Sequence, residues 1–309
     1  MSIARIALLL LAAALFPALA NAKTLEVGEQ KPFKTFKDAM GAAADGDRIL
    51  IDAGEYFECA VVSLNDLTIE GAGKDGSTIL TDTPCQGKAL LVTAGDNITV
   101  RNLTLTRARV PDGNGAGIRA EGIDLLVDHV KFINNQNGIL AAGQPKSTIT
   151  VKDSEFTRNG ACNPSCAHGI YVNALKLLRI ENSKFVDTRQ GHHVKSRAAR
   201  TEVIGCSFID GPTGTASYMV EAPNGGSVVV RNSVFDKGPK SENHTGGVVI
   251  GMEGVNQPTR ELTMENNTFK NSGSYSTFFV VNMTATEAHL KGNKLSGTAQ
   301  PLRGDGEVE

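Results

Sequence analysis

Apolar positions along this chain fall into a six-residue motif that returns eight times. An apolar residue is followed by any residue, by Asn, Asp, Gly or a similar residue, by a mostly small or polar residue, by any residue, and by a closing Phe or Leu. The copies run from Val100 to Leu105, Val127 to Phe132, Val151 to Phe156, Ile180 to Phe185, Val203 to Phe208, Val230 to Phe235, Met264 to Phe269 and Leu290 to Leu295. The closing residue recurs every 23 to 34 residues. A unit repeated at that period predicts stacked coils that share one continuous interior.

Each coil carries a second strand with period-two alternation: Ile118 and Ala120, Ile139 and Ala141, Ile170 and Val172, Val194 and Ser196, Val220 and Ala222, Val248 and Ile250, Val281 and Met283. Alternation points these residues inward and their neighbours outward. Coils about 4.8 Å apart bring equivalent outward side chains into contact, so outer columns can be read from sequence. One alignment gives a column of Asn173, Lys195, Glu221, Gly251 and Asn282, with Tyr171, His193, Met219, Val249 and Val280 one strand step earlier. Insertions, notably between Asp210 and Tyr218, leave the register open by one step.

Other segments fall outside the ladder. Lys34 to Ala44 places Phe36, Ala39, Met40 and Ala43 at helical spacing, and Asp45-Gly46-Asp47 ends it. A helix there would shield the strand edges of the first coil. Residues 1–22 read as an export signal: Arg5 gives the positive start, Ile6 to Phe16 the apolar stretch, and Ala20-Asn21-Ala22 the cleavage site. The organisation expected is a signal over 1–22, a cap over 23–56, coils over 57–297 and a disordered tail over 298–309. The product is expected to be periplasmic or secreted, a monomer, and free of the membrane after cleavage.

Composition narrows the picture. A net charge of −2 gives no global case for nucleic acid or a membrane surface. Thirty-three glycines and no Trp suit an all-β solenoid with many turns. Five cysteines in an exported chain point to disulfides with one thiol left over. Cys162 and Cys166 flank a short loop, and Cys59 and Cys85 lie about one coil apart. Cys206 takes a motif position filled elsewhere by Ser or Asn, which makes it a buried free thiol. Asn-x-Thr triplets such as Asn97-Ile98-Thr99 and Asn266-Asn267-Thr268 are explained by the ladder, because Asn at a corner tolerates left-handed backbone and stacks its amide between coils.

The cap sequence Pro32-Phe33-Lys34-Thr35-Phe36, then Gly46-Asp47-Arg48-Ile49 and Gly54-Glu55-Tyr56, followed by the ladder, resembles right-handed parallel β-helix proteins of the pectate lyase-like superfamily. The resemblance covers nearly the whole chain after the signal and is greatest with exported bacterial β-helix-repeat proteins of unassigned substrate. It implies a single-stranded right-handed parallel β-helix with a short capping helix. The superfamily implies polysaccharide lyases, epimerases, hydrolases, esterases and adhesins, so fold alone does not choose an activity. Paired adjacent aspartates of the polygalacturonase type and the aspartate cluster of classical pectate lyases are missing here.

Chemistry concentrates in Gly191-His192-His193-Val194-Lys195-Ser196-Arg197-Ala198-Ala199-Arg200. Alternation would put His193, Lys195 and Arg197 together on the outer face as a stripe of about 13 Å. Such a stripe suits an acidic polysaccharide. β-Elimination needs a neutralised uronate carboxylate, a base for the adjacent proton and an acid for the leaving oxygen. The resemblance to lyases that use Lys and Arg implies Lys195 as base and Arg197 as neutraliser or acid, with His193 as alternative proton donor. Tyr171, Asn173, Glu221 and Arg200 are substrate-binding candidates.

Blander readings stand beside these. Glu221 next to Lys195 would hold the amine protonated, and the pair would then be a structural cross-coil salt bridge. His192 falls on an inward or edge position and reads as a hydrogen-bonded core histidine. A glycoside hydrolase would need two carboxylates, for which only Glu221 and Asp187 or Asp210 are candidates. C5 epimerisation shares the first step of elimination, and a non-catalytic carbohydrate-binding or envelope protein could use the same face. No cofactor or metal is called for. Asp112-Gly113-Asn114-Gly115 is too short for a calcium loop, so calcium has no support.

Overall fold

Why the motif needs Asn, Asp or Gly at its third position is visible at once in the backbone. The computed structural model describes residues 22–309, so the expected export signal falls, but for Ala22, outside the described residues. All eight third positions turn a corner in the left-handed region: Asn102, His129, Asp153, Asn182, Gly205, Asn232, Asn266 and Gly292, with φ between 46° and 65°. Short polar side chains and glycine enter that region at least cost. At Gly205 an added Cβ would lie 2.7 Å from Asn182 Oδ1 of the preceding coil, so the close stacking of corners also demands glycine there.

The corner joins strands of two sheets, and a third sheet completes each coil. The sheets are parallel, with twelve, ten and ten strands, and each strand pairs with its equivalents in the neighbouring coils. Val100, Val127 and Val151 of the first sheet stand in register, as do Leu105, Phe132 and Phe156 of the second. This is the single parallel β-helix expected from the repeat. The Phe closing the motif forms an interior column: Phe132, Phe156, Phe185, Phe208 and Phe235 stack with successive centroids 4.5, 4.6, 4.7 and 4.9 Å apart. The apolar interior runs from Leu25 to Leu290 without a break.

Polar groups inside the coils are satisfied by ladders of the same period. Ser154, Ser183, Ser233 and Asn267 pass hydrogen bonds from coil to coil, and Cys206 stands among them, its N–H donating to Ser233 Oγ and its thiol lying 3.4 Å from Ile204 O and 3.5 Å from Ile180 O. Among the described residues Cys206 is the one cysteine outside a disulfide; Cys59 is joined to Cys85 and Cys162 to Cys166, as expected. At the next corner Asn135 Nδ2 donates to Asn159 Oδ1 at 3.1 Å.

The capping helix is shorter than its sequence pattern, Phe36–Ala42, and begins where Thr35 accepts from the Asp38 N–H. Phe36 and Ala39 seal the first coil. Two expectations need correction. The segment 298–309 is not disordered, since Ala299–Arg303 and Gly306–Val308 continue the third and first sheets. In the last full coil Val280, not Val281, pairs with the inward Val248, which leaves Met283 exposed.

Candidate active site

The third sheet carries the basic coil. Val194–Ser196 is its strand, with Tyr171 on the preceding coil paired to Lys195 and Glu221 on the following coil paired to it as well. Tyr171 therefore belongs to the Lys195 column, one strand step from where the sequence alignment put it. The true outward column runs Arg119, Leu140, Tyr171, Lys195, Glu221, Val249 and Val281. Asn173 then falls opposite Arg197 and lines the same groove.

Around this column three coils contribute charge and a fourth contributes the neutral Tyr171. Lys195 Nζ lies 2.6 Å from Glu253 Oε1 and 3.3 Å from Glu221 Oε2. Arg197 reaches the other Glu253 oxygen at 2.6 Å, donates through Nε to the Tyr171 hydroxyl at 3.2 Å, and donates through Nη1 to Asn224 Oδ1. Both cations also lie about the Tyr171 ring, 6.0 and 5.9 Å from its centroid. Burial works to raise the Glu253 carboxyl, but hydrogen bonds from Lys195 and Arg197 outweigh it and hold the group below its usual range. Burial opposes the charge on Arg197, while its bonds to Tyr171 and Glu253 push its pKa upward.

Glu253 was not foreseen. It sits after the strand Gly246–Ile250 on a loop that folds back over the Pro223-Asn224-Gly225-Gly226 turn. The Glu253 N–H donates to Pro223 O at 2.8 Å, and Gln257 N–H to Asn224 O at 2.9 Å. Gly251, at φ +83°, starts the reversal. The unusual turn thus serves as the seat of the loop that delivers the carboxylate. Beside it, Gly143, Asn173, Ala174, Arg197, Asn224, Asn256 and Gln257 line a cavity of about 430 Å³.

His193 must be removed from the candidate list. Its side chain is fully buried, with Nδ1 2.6 Å from Thr188 Oγ1 and Nε2 2.7 Å from Asp210 Oδ1. Burial pulls Asp210 upward, but the hydrogen bond and charge of His193, the Gly238 N–H and the charge of Lys237 hold it low. An ionised Asp210 can only accept, which places the His193 ring hydrogen on Nε2. The strand begins only at Val194. His193 precedes it in a turn, where period-two alternation does not apply, and both residues point inward.

His192 takes the outward place instead. Its Nε2 lies 2.7 Å from Glu221 Oε2, and its ring packs edge-on between His168 and Tyr218, at 4.9 and 5.2 Å between centroids. His168 accepts the His192 N–H on Nδ1 at 3.0 Å. Burial first, and then the charges of His192, Lys195 and Arg197, hold His168 neutral by pulling its pKa well down. His192 is thus buried as expected, yet on the outer face rather than in the core.

Arg200 also leaves the site. It lies on the strand Arg200–Ile204 of the first sheet, paired to Glu202 at 2.5 Å and Glu261 at 2.7 Å. Of the hydrolase candidates, Asp210 is buried inside the coil and Asp187 accepts from Thr213 at 2.8 Å. The Cys162 to Cys166 hairpin, with Ala161 paired to Ala167, leads into His168 and Tyr171.

Two features lie elsewhere. A larger cleft, about 620 Å³, runs along the corner of the first and second sheets between Lys74, His129, Lys131, Asp153 and Lys184. Asp128, His129 and Asp153 bring ligand-type atoms within 4.8 Å of one another there. Asp128 is already bound to His129 at 2.5 Å and Lys152 at 3.1 Å, so its carboxylate is spoken for.

A family described as "Right handed beta helix region" matches residues 49–208 and 162–302. No curated protein matches the chain. Among solved structures, an alginate lyase from Paenibacillus sp. str. FPU-7 is 16% identical, with 93% of this chain and 99% of that chain covered and a TM-score of 0.69. A pectin methylesterase from Aspergillus niger is 12% identical, covering 91% and 89% of the two chains at a TM-score of 0.55. ORF18 of Geobacillus virus E2 is 14% identical, covering 86% and 55% at 0.55. At these identities the likeness is one of fold.

Proposed function

The chain belongs to the right-handed β-helix family, and on that premise we propose that it is an exported protein that acts on an acidic, uronate-containing polysaccharide by β-elimination. What carries the reading is the convergence of Tyr171, Lys195 and Arg197 on one sheet face, tied together by a carboxylate. In this scheme Glu253 holds the place of a substrate carboxylate. A uronate entering the groove takes over Arg197 and Lys195, as a charge-assisted pair suits a planar carboxylate. Neutralising that carboxylate makes the neighbouring C5 proton easier to remove.

The roles then differ from the sequence assignment in one place. Lys195, once it has given its proton to solvent, takes the C5 hydrogen as a free amine. The electron pair of the C–H bond becomes the C4–C5 double bond, the C4–O4 bond breaks, and O4 takes a proton. Buried His193 cannot supply it, so the Tyr171 hydroxyl does. Arg197 donating to the same oxygen stabilises the phenolate that results. Likeness of fold to an alginate lyase and a pectin methylesterase makes alginate and pectin the polymers to try first. Two disulfides suit an oxidising compartment, and export is part of the proposal.

The test is incubation with a panel of uronate polymers, followed by far-ultraviolet absorbance of the unsaturated product. Expected is a signal lost in Lys195→Ala and reduced in Tyr171→Phe. Silence on every polymer would overturn the lyase reading. A second reading, carbohydrate binding without chemistry, draws on the full pairing of Lys195 with Glu221 and Glu253. It predicts polymer retention without product.

A further inference from the structure

The first coil holds a buried anion that no described side chain compensates. Asp47 is 5% exposed, and its carboxylate accepts two backbone N–H groups, that of Lys23 at 2.8 Å on Oδ1 and that of Ala44 at 2.9 Å on Oδ2. Among the described residues no side-chain cation pairs with it; its neighbour Arg48 turns to Glu70 instead, at 2.9 Å. A carboxylate withdrawn from water calls for a positive partner as well as hydrogen bonds. One of the two nitrogens in its reach belongs to Lys23, the residue that follows the expected cleavage site Ala20-Asn21-Ala22.

Resting on the export part of the reading above, and not on the elimination chemistry, we propose that hydrolysis between Ala22 and Lys23 completes the fold, by turning the Lys23 nitrogen into an ammonium that pairs with Asp47. Water is the co-reactant, and the peptidase that removes the export signal is the catalyst. The amide C–N bond breaks, the Ala22 carbonyl carbon takes the water oxygen and leaves as a carboxylate, and the Lys23 nitrogen takes both water hydrogens. The neutral hydrogen bond to Asp47 Oδ1 becomes a charge-assisted one without either group having to move.

The surroundings fit a cut at this bond. Ala22 and Lys23 are both exposed, so a peptidase can reach the bond between them. The first strand, Thr24–Val27, starts one residue later and keeps its register against Arg48–Ile51 when the signal leaves. That strand ends the twelve-strand sheet and has a neighbour on one side only. End coils of a solenoid open first, because they lack one of the two interfaces that hold an inner coil. Lys23 ties down this edge from both of its backbone groups, its nitrogen on Asp47 and its oxygen accepting the Arg48 N–H at 2.8 Å. A charge gained at that nitrogen therefore tightens the coil most prone to open.

The test compares two purified chains that differ by one residue, one beginning at Lys23 and one at Ala22, by hydrogen exchange of the Arg48 amide. The second chain also carries a terminal ammonium, but one residue further from Asp47, and its Lys23 nitrogen remains an amide. Expected is slower exchange in the chain that begins at Lys23, by about fivefold to tenfold, and loss of that difference in Asp47→Asn. Equal exchange in the two chains would overturn the proposal, and so would a difference that survives in Asp47→Asn. Should Asp47→Asn fail to fold, the two wild-type chains decide alone. The intact mass of the exported protein gives its first residue, and a start other than Lys23 would overturn the processing step. Full-length chain retained in the cytoplasm would defeat the export reading instead, whatever the exchange shows, so the two failures are read separately.

Discussion

Replacing Lys237 by methionine offers a measurement of what it costs this chain to bury a cation. Lys237 has no exposed surface, and its ammonium donates to Ser217 O at 2.9 Å and Ser241 Oγ at 2.7 Å. Burial pulls its pKa from 10.5 down to about 8, against the charge of Asp210, which favours the ammonium. That difference corresponds to about 3 kcal/mol between folded and unfolded states. Below pH 8 both states hold the proton and the cost is present in full. Between pH 8 and 10.5 the folded state releases it while the unfolded state retains it, so stability rises with pH by up to about 1.4 kcal/mol per pH unit. Met fills the same space without the titration, while losing two hydrogen bonds at a cost, set by geometry and not by pH, of about 1–3 kcal/mol. Buried Cys206 and half-buried Tyr275, raised to about 11 and about 12, act in the opposite sense at high pH but are common to both chains and cancel in the difference. Urea unfolding followed by far-ultraviolet circular dichroism at pH 7, 8, 9 and 9.5 should show wild type gaining on Lys237→Met as pH rises. Parallel stabilities across that range would show that Lys237 is not desolvated as described.

Three further outcomes are expected. Phe185→Ala, which empties the place between Phe156 and Phe208 at 4.6 and 4.7 Å, should cost about 3–5 kcal/mol in the same unfolding assay. His193→Ala leaves buried Asp210 without its partner and should cost about 3 kcal/mol of stability, yet leave kcat/KM per folded molecule within about twofold; a selective loss of kcat would restore His193 to the chemistry. Glu253→Gln removes the resident anion from Lys195 and Arg197, so calorimetry with uronate oligomers should give tighter binding by about tenfold, weakening with added salt; weaker binding would show that Glu253 orders the cations rather than competing for them.

Much of the architecture was legible because the interior repeats. Third-position Asn and Asp marked the corners, closing Phe marked the column, and Cys206 could be placed by the Ser and Asn that replace it elsewhere. The outer face repeats far less. Alternation was sound within Val194–Ser196 and failed one residue before it, where His193 turns inward and His192 outward. Loops of unequal length between rungs moved Tyr171 by one step, which only the ladder of backbone hydrogen bonds resolves. Glu253 lies 58 residues from its partner Lys195, on a loop with no period. An acidic residue two places beyond the outward Gly251, opposite a Pro-Asn-Gly-Gly turn, was the one available sign.

Tyr171, Lys195, Glu221 and Glu253 come from four consecutive coils, each supplying a single rung of the same column or the loop at its edge. The centre is therefore local in space and remote in sequence. No one coil contains enough of it to act, and a slip of the stack by one coil anywhere between Tyr171 and Glu253 would scatter the groups while leaving apolar side chains inside. Activity, more than any measure of β content, would report whether the coils have closed in the correct frame. Contacts of such long sequence separation also form late as a rule, after the loops between them are paid for in entropy. Chemical competence should accordingly lag behind the growth of sheet when this chain refolds.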